Sequence, residues 1–229
     1  MYEAVEKNNR ILYDNPMIKS GSRYEIDFED LERKASDPKT KMLILCSPHN
    51  PCGRVWTKEE LTKIGEICLK NNVLVLSDEI HADLIMPGHS HIVFASINDE
   101  FANNSIICTA PSKTFNIAGL QTSNIFIPNE KLREKFLNSL KLSNPNPKCN
   151  ILGYCASKAA YKYCVEWLDE ALKVIDTNRK LIVDFMAKEF LSVKITELEG
   201  TYLLWLDCNG LSLSFKELER VNQTEAKLF

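Results

Sequence analysis

The chain has 229 residues, 45% of them hydrophobic and 26% charged, the balance of a globular protein with one large domain or two modest ones. Its 28 basic and 31 acidic residues leave a net charge of −3 with no basic cluster, which argues against a nucleic-acid partner. The longest apolar runs are strand-length, so no segment is expected to span a bilayer, and residues 1–7 carry no apolar signal region.

Taken in order, Tyr2 to Asn9 reads as the tail of a helix with nothing ahead of it to cap or pack it. Residues 10–28 alternate short extended pieces with turns, and Asp27 caps a short helix through Leu31 to Lys34. Met42 to Cys46 is a continuous apolar strand, followed by the loop Ser47 to Arg54. Thr57 caps the next helix, with Glu60 three residues on as a capping box. Leu61, Ile64, Ile67 and Cys68 form its apolar face, and Asn71-Asn72 ends it. Val73 to Ser77 is a second buried strand with Asp78-Glu79 at its carboxyl end. Strand, helix, strand at this spacing predicts a parallel, right-handed crossover. Ser105 to Thr109 is a third strand and Ser123 to Ile127 a fourth. Asn129 caps a helix through about Leu140, and Leu142 to Lys148 is a joint.

From Asn150 to Phe190 the pattern is helical almost throughout. Ala156, Ala159, Ala160 and Tyr163 form one stripe; Trp167, Leu168, Ala171, Leu172 and Ile175 form another. Thr201 to Cys208 alternates as a strand, and Phe215 to Lys227 is a final amphipathic helix. The eight cysteines include no Cys-x-x-Cys pair and fall mostly in strand-like or helix-like runs. Buried, reduced thiols in a cytoplasmic protein are expected rather than bridges or zinc. His89 and His91 flank Ser90 in a Gly-containing loop without further metal-spaced ligands, and read as surface residues.

Three polar residues stand at three strand ends: Asn50, Asp78 and Lys113. In open α/β sheets, ligands bind along that edge. A desolvated lysine there loses its proton more easily and becomes a nucleophile toward carbonyls. Taken singly, Lys113 reads as a solvated loop lysine, and Asp78 equally as a helix cap or surface acid. Asn50 before Pro51 reads as a turn residue and His81 as a core or loop histidine. Taken together they suit pyridoxal phosphate, an aldehyde with a pyridine ring. That group needs a lysine to bond its carbonyl, a carboxylate against the ring nitrogen and donors against the phenolic oxygen.

Three stretches strengthen this reading. Ser-Pro-His-Asn-Pro-Cys-Gly-Arg (47–54), Ser-Asp-Glu-Ile-His-Ala-Asp-Leu (77–84) and Ala-Pro-Ser-Lys-Thr-Phe-Asn-Ile-Ala-Gly-Leu-Gln (110–121) resemble fold type I pyridoxal-phosphate enzymes. Within these they are most similar to the MalY/PatB branch, the cystathionine or cysteine-S-conjugate β-lyases. The similarity continues through Gly200 to Asp207. The resemblance implies an α/β fold: a mostly parallel sheet sandwiched by helices, the large domain of fold type I, plus part of a small α+β domain. It divides the chain into a partial cofactor-binding domain at 1–165 and a partial carboxyl-terminal domain at 166–229. It implies pyridoxal 5'-phosphate as cofactor, with Lys113 bonding it and later moving the substrate's α-proton. Asp78 would pair with the pyridinium nitrogen, and Asn50 would donate to the phenolic oxygen, with Asn50-Pro51 in the cis form. His81 would lie near that oxygen, and Ser112 would donate to the phosphate. An amino-acid substrate and a homodimer follow from the same resemblance; a cytoplasmic location is expected from the cysteines, and no membrane or nucleic-acid partner from the short apolar runs and the charge.

Related aminotransferases carry a serine three positions before the lysine and an arginine eight after it; here these are Ala110 and Gln121. That departure favours lyase over transaminase. Family members also extend beyond both ends of this sequence, and their outlying parts carry a phosphate-gripping glycine turn, a ring-stacking aromatic and an arginine for the substrate carboxylate. The chain therefore reads as the middle of an enzyme, expected to bind cofactor weakly by itself and to leave apolar surface uncovered. Three functions stand at this point: a β-lyase, an aminotransferase on the same scaffold, and a non-catalytic fragment.

Overall fold

The computed structural model describes residues 2–143 and 149–211. Its first part holds a short helix, α1 (Tyr2–Lys7), a ribbon of β1 (Ile18–Ser20) and β2 (Arg23–Glu25), and α2 (Phe28–Ala35). Asp27 caps α2 as expected, its Oδ1 accepting the Asp30 amide at 2.9 Å. There follow β3 (Met42–Cys46), α3 (Lys58–Lys70), β4 (Leu74–Asp78), α4 (Asp99–Asn103), β5 (Ser105–Thr109), the single turn α5 (Pro111–Thr114) and β6 (Asn124–Phe126). The later part contains α6 (Glu130–Ser143), α7 (Ile151–Tyr163), α8 (Val165–Glu189) and the short pair β7 (Lys194–Ile195) and β8 (Leu206–Asp207).

The central sheet has the order β3-β4-β5-β6. Its first three strands are parallel, and β6 runs antiparallel at the edge. The connection through α3 is the βαβ unit expected from sequence. Thr57 forms the expected capping box: Glu60 N donates to Thr57 Oγ1 at 3.2 Å while Thr57 N donates to Glu60 Oε2 at 2.8 Å. Leu61, Ile64, Ile67 and Cys68 are all buried.

Strand period two sorts the sheet residues onto two faces. Leu45, Val75 and Ile107 lie on one, packed with Leu31, Trp56, Leu61, Ile64, Phe94 and Phe101 into the core. Each such side chain contributes roughly 1.5–3 kcal/mol by leaving water. Cys46, Asp78 and Cys108 are register partners on the opposite face, at the carboxyl ends of the three parallel strands. That face is less covered: Met42, Ile44, Leu74 and Leu76 remain exposed or half-buried.

Three sequence expectations change. The run 201–208 forms a strand only at Leu206–Asp207, because Thr201 takes a left-handed φ of 72° and turns the chain out of extended geometry. The α7 stripe is split: Ala160 is buried, but Ala159 and Tyr163 are exposed. His91 is an inward-facing partner rather than a surface residue, its Nε2 lying 2.8 Å from Glu79 Oε2. The expected helix at 215–227 and most of the joint at 142–148 lie outside the described residues.

Candidate active site

The loop after β3 carries Asn50. Cys46 pins this loop, its thiol donating to Pro48 O and accepting the Asn50 amide, both at 3.3 Å. Asn50-Pro51 is cis, as expected, and so is Ser47-Pro48, which sequence reading did not anticipate. Asn50 itself is exposed. His49 is turned inward beside Cys52 Sγ at 3.1 Å, and burial with the Arg54 charge holds its ring at about 4, well below its usual 6.5.

Asp78 ends β4, half-buried, with Oδ1 accepting the Ile80 amide at 3.4 Å. Burial pushes its carboxyl up, and the Lys113 charge pulls it back down. His81, three residues on, is 2% exposed, and its Nδ1 has no hydrogen-bond partner among the described residues. Burial lowers its pKa, and Lys113 lowers it further. The Tyr202 ring meets it edge-on with centroids 5.7 Å apart. Ser112 and Lys113 are half-buried on α5, directly after β5. The fold thus brings Asp78, His81 and Lys113 within electrostatic reach at one sheet edge, and sets the Asn50 loop at the end of the neighbouring strand.

Several residues that support this edge escaped sequence reading. Glu79 is 1% exposed and accepts from Ser77 Oγ at 2.8 Å and Phe94 N at 3.0 Å, besides its contact with His91. Its alternation with Asp78 places it on the core face, which was the available signal. Arg54 donates from Nε to Glu199 Oε2 at 3.1 Å and from its terminal nitrogen to both Glu60 oxygens at 2.9 Å. Glu199 Oε2 also accepts the Val55 amide at 2.8 Å, and Arg23 pairs with Glu199 from the other side. Residues 199–201 are stitched to both site loops: Glu199 N and Gly200 N donate to Gly53 O, and Thr201 N donates to Leu84 O at 2.7 Å. Gly53 has a φ of +73°, the left-handed region that favours glycine, and a Cβ there would displace Leu198 Cδ1, which would lie 2.6 Å away.

Set against known proteins, residues 9–228 match the model of the family described as aminotransferase class I and II. The chain belongs to that family. Among its relatives, cystathionine β-lyase PatB of Bacillus subtilis is 47% identical over 219 residues, 96% of this chain and 56% of that protein. Among solved structures, cystalysin from Treponema denticola, described as containing a pyridoxal 5'-phosphate cofactor, superposes with a TM-score of 0.92 at 43% identity. That match covers 96% of this chain and 55% of cystalysin. The C–S lyase of Staphylococcus hominis, solved with the same cofactor, gives a TM-score of 0.83 at 38% identity over 90% of this chain and 51% of that one. The chain spans about half the length of these relatives. The class I and II aminotransferase family accounts for the mostly parallel sheet with flanking helices expected from sequence.

Proposed function

We propose that this chain carries the cofactor-holding core of a pyridoxal-phosphate-dependent carbon–sulfur β-lyase. The reaction cleaves cystathionine or a related cysteine S-conjugate, with uptake of water, to a thiol, pyruvate and ammonia. The observation that carries the reading is the juxtaposition of Asp78, His81 and Lys113 at the carboxyl edge of the parallel strands. The names of the relatives above support the same reaction class.

The residues fit the cofactor. Asp78 is a half-buried carboxyl whose ionised form is disfavoured by burial, so it gains by taking a cationic ring N–H beside it. At about 4 Å such a pair is worth roughly 4 kcal/mol at an effective dielectric of 20. His81 Nδ1 is a buried polar atom lacking a partner among the described residues. When bound, pyridoxal phosphate supplies a carbonyl for a lysine amine and a protonated ring that draws electrons from the bond broken at the substrate's α-carbon.

The chain's own groups take the remaining roles. Lys113 would hold the cofactor through its Nζ and would serve as the base that moves the α-proton. Asp78 would keep the ring nitrogen protonated. Asn50 would donate from its side-chain amide to the phenolic oxygen, with His81 beside it, and Ser112 Oγ would donate to the phosphate. Ala110 and Gln121, where aminotransferases of this resemblance carry serine and arginine, favour elimination over transamination. A division into 1–165 and 166–229 is supported by the break at Cys164 between α7 and α8. A homodimer is in keeping with the exposed apolar surface. Eight free cysteines suit a reducing, cytoplasmic setting, and no helix among the described residues is long and apolar enough to cross a membrane.

The test is borohydride reduction in the presence of pyridoxal phosphate, followed by peptide mass mapping. Label concentrated at Lys113 supports the assignment; label at other lysines alone removes it. In an enzyme extended to the relatives' full length, cystathionine without any added keto acid should yield pyruvate and free thiol. A strict need for a keto acid would point to an aminotransferase instead.

A further inference from the structure

Asp83 accepts two hydroxyl donors from two different elements. Thr114 Oγ1 reaches Asp83 Oδ2 at 2.7 Å, and the Tyr161 hydroxyl reaches the same oxygen at 3.3 Å. Thr114 directly follows Lys113 and is 3% exposed. Phe115, the next residue, meets the Tyr161 ring edge-on with centroids 5.1 Å apart and lies 6.2 Å from Trp167 of α8. Asp83 belongs to the turn after β4 that also carries His81. Burial and the Asp83 charge push the Tyr161 phenol up to about 12, so it remains a neutral donor through the working pH range.

The lysine turn needs such an anchor. α5 is four residues long, and a single helical turn does not hold itself in water. β5 fixes the chain only up to Thr109. Beyond the turn the backbone departs from regular structure, with left-handed φ values of 54° at Asn116 and 48° at Gln121. A lysine side chain has four rotatable bonds, so its amine samples a wide volume unless the backbone beneath it is fixed.

We propose that Asp83, Thr114 and Tyr161 act together as positioning residues for Lys113, holding the lysine turn against α7 so that its amine faces the cofactor carbonyl. Asp83 serves as the common acceptor, Thr114 as the link to the lysine, and Tyr161 as the tie to α7. The inference rests on the reading of Lys113 as the cofactor lysine.

The experiment uses the whole 229-residue chain with pyridoxal phosphate as probe. The lysine amine condenses with the aldehyde, losing water; borohydride then reduces the C=N bond; and mass mapping reads the ratio of label at Lys113 to summed label at the other lysines. Thr114→Val, nearly isosteric but without the hydroxyl, should lower this ratio about tenfold, the scale of a lost hydrogen bond to a charged acceptor. Thr114→Ser should restore it to within about twofold, and Tyr161→Phe should lower it about threefold, since that bond is longer. Equal circular dichroism across the set separates positioning from unfolding. Should Thr114→Val fail to fold, the Tyr161→Phe ratio decides. An unchanged ratio in Thr114→Val, or an equal loss in Thr114→Ser, overturns the proposal. No preference for Lys113 in the unsubstituted chain instead overturns the reading of the lysine itself, and the positioning role with it.

Discussion

At the scale of single residues, the site depends on groups whose charge is set by burial. His49 is the clearest. Burial and Arg54 keep its pKa at about 4 in the folded chain, against 6.5 when exposed. Below pH 6.5 the unfolded chain takes up a proton that the folded ring refuses, so folding stability falls between about pH 6.5 and 4 and levels off below. The slope for one such group is at most about 1.4 kcal/mol per pH unit. His81 shifts in the same direction, so His49→Asn should reduce the slope without abolishing it. Denaturation midpoints measured across this window would disprove the assignment if the variant kept the original slope. Asp78→Asn bears on chemistry instead: in a full-length enzyme it should leave cofactor binding measurable while turnover drops by orders of magnitude, and near-normal turnover would exclude the role given to Asp78. Asp78 and Lys113 were legible in sequence because the first directly follows an apolar strand run and the second stands four residues past the end of another. Glu79 and Asp83 were not, since their partners, Phe94, His91, Thr114 and Tyr161, lie 12 to 78 residues away.

At the scale of elements, local signals were read well and long-range ones poorly. The Thr57 capping box is a four-residue pattern, and it forms as expected. Thr57→Ala should cost about 1 kcal/mol in urea denaturation. The network joining Arg54, Glu60, Glu199 and Arg23 ties the Asn50 loop to a segment 145 residues later. No periodicity signals such a pairing. Removing Glu199 leaves Arg54 with Glu60 alone and the Val55 amide without its acceptor, so Glu199→Ala should destabilise by about 1–3 kcal/mol. Replacing both Arg54 and Glu199 by apolar residues of similar volume should recover part of that loss. A double variant no better than the single one would show that geometry other than the ion pair holds the loop. The failed strand at 201–208 belongs here too. Its alternation was real, but Thr201 is committed to Leu84 and to a left-handed turn, and tertiary contact overrides strand propensity.

At the scale of the whole molecule, the expected α/β architecture is present, and so is the expected bare apolar surface. Ile151, Leu152, Tyr154, Val165, Leu181 and Phe185 on α7 and α8 are exposed, as is Phe126 on the edge strand β6. Surface of this kind promotes association. Residues 1–229 expressed by themselves should therefore self-associate at micromolar concentration in light scattering and bind an apolar dye; a monodisperse, dye-free monomer would contradict this. The stitching of residues 199–201 to Gly53 and Leu84 also has a consequence for the order in which the molecule is made. The β3-α3-β4 unit needs only neighbouring sequence and can form while the ribosome is still at work, whereas the two site loops acquire their shared fastener only when residues 199–201 emerge, 145 residues after Arg54 in the case of Glu199. The contacts that build the sheet are thus available early in the chain, and the two loops are fastened only when a late passage of the chain returns to an early one.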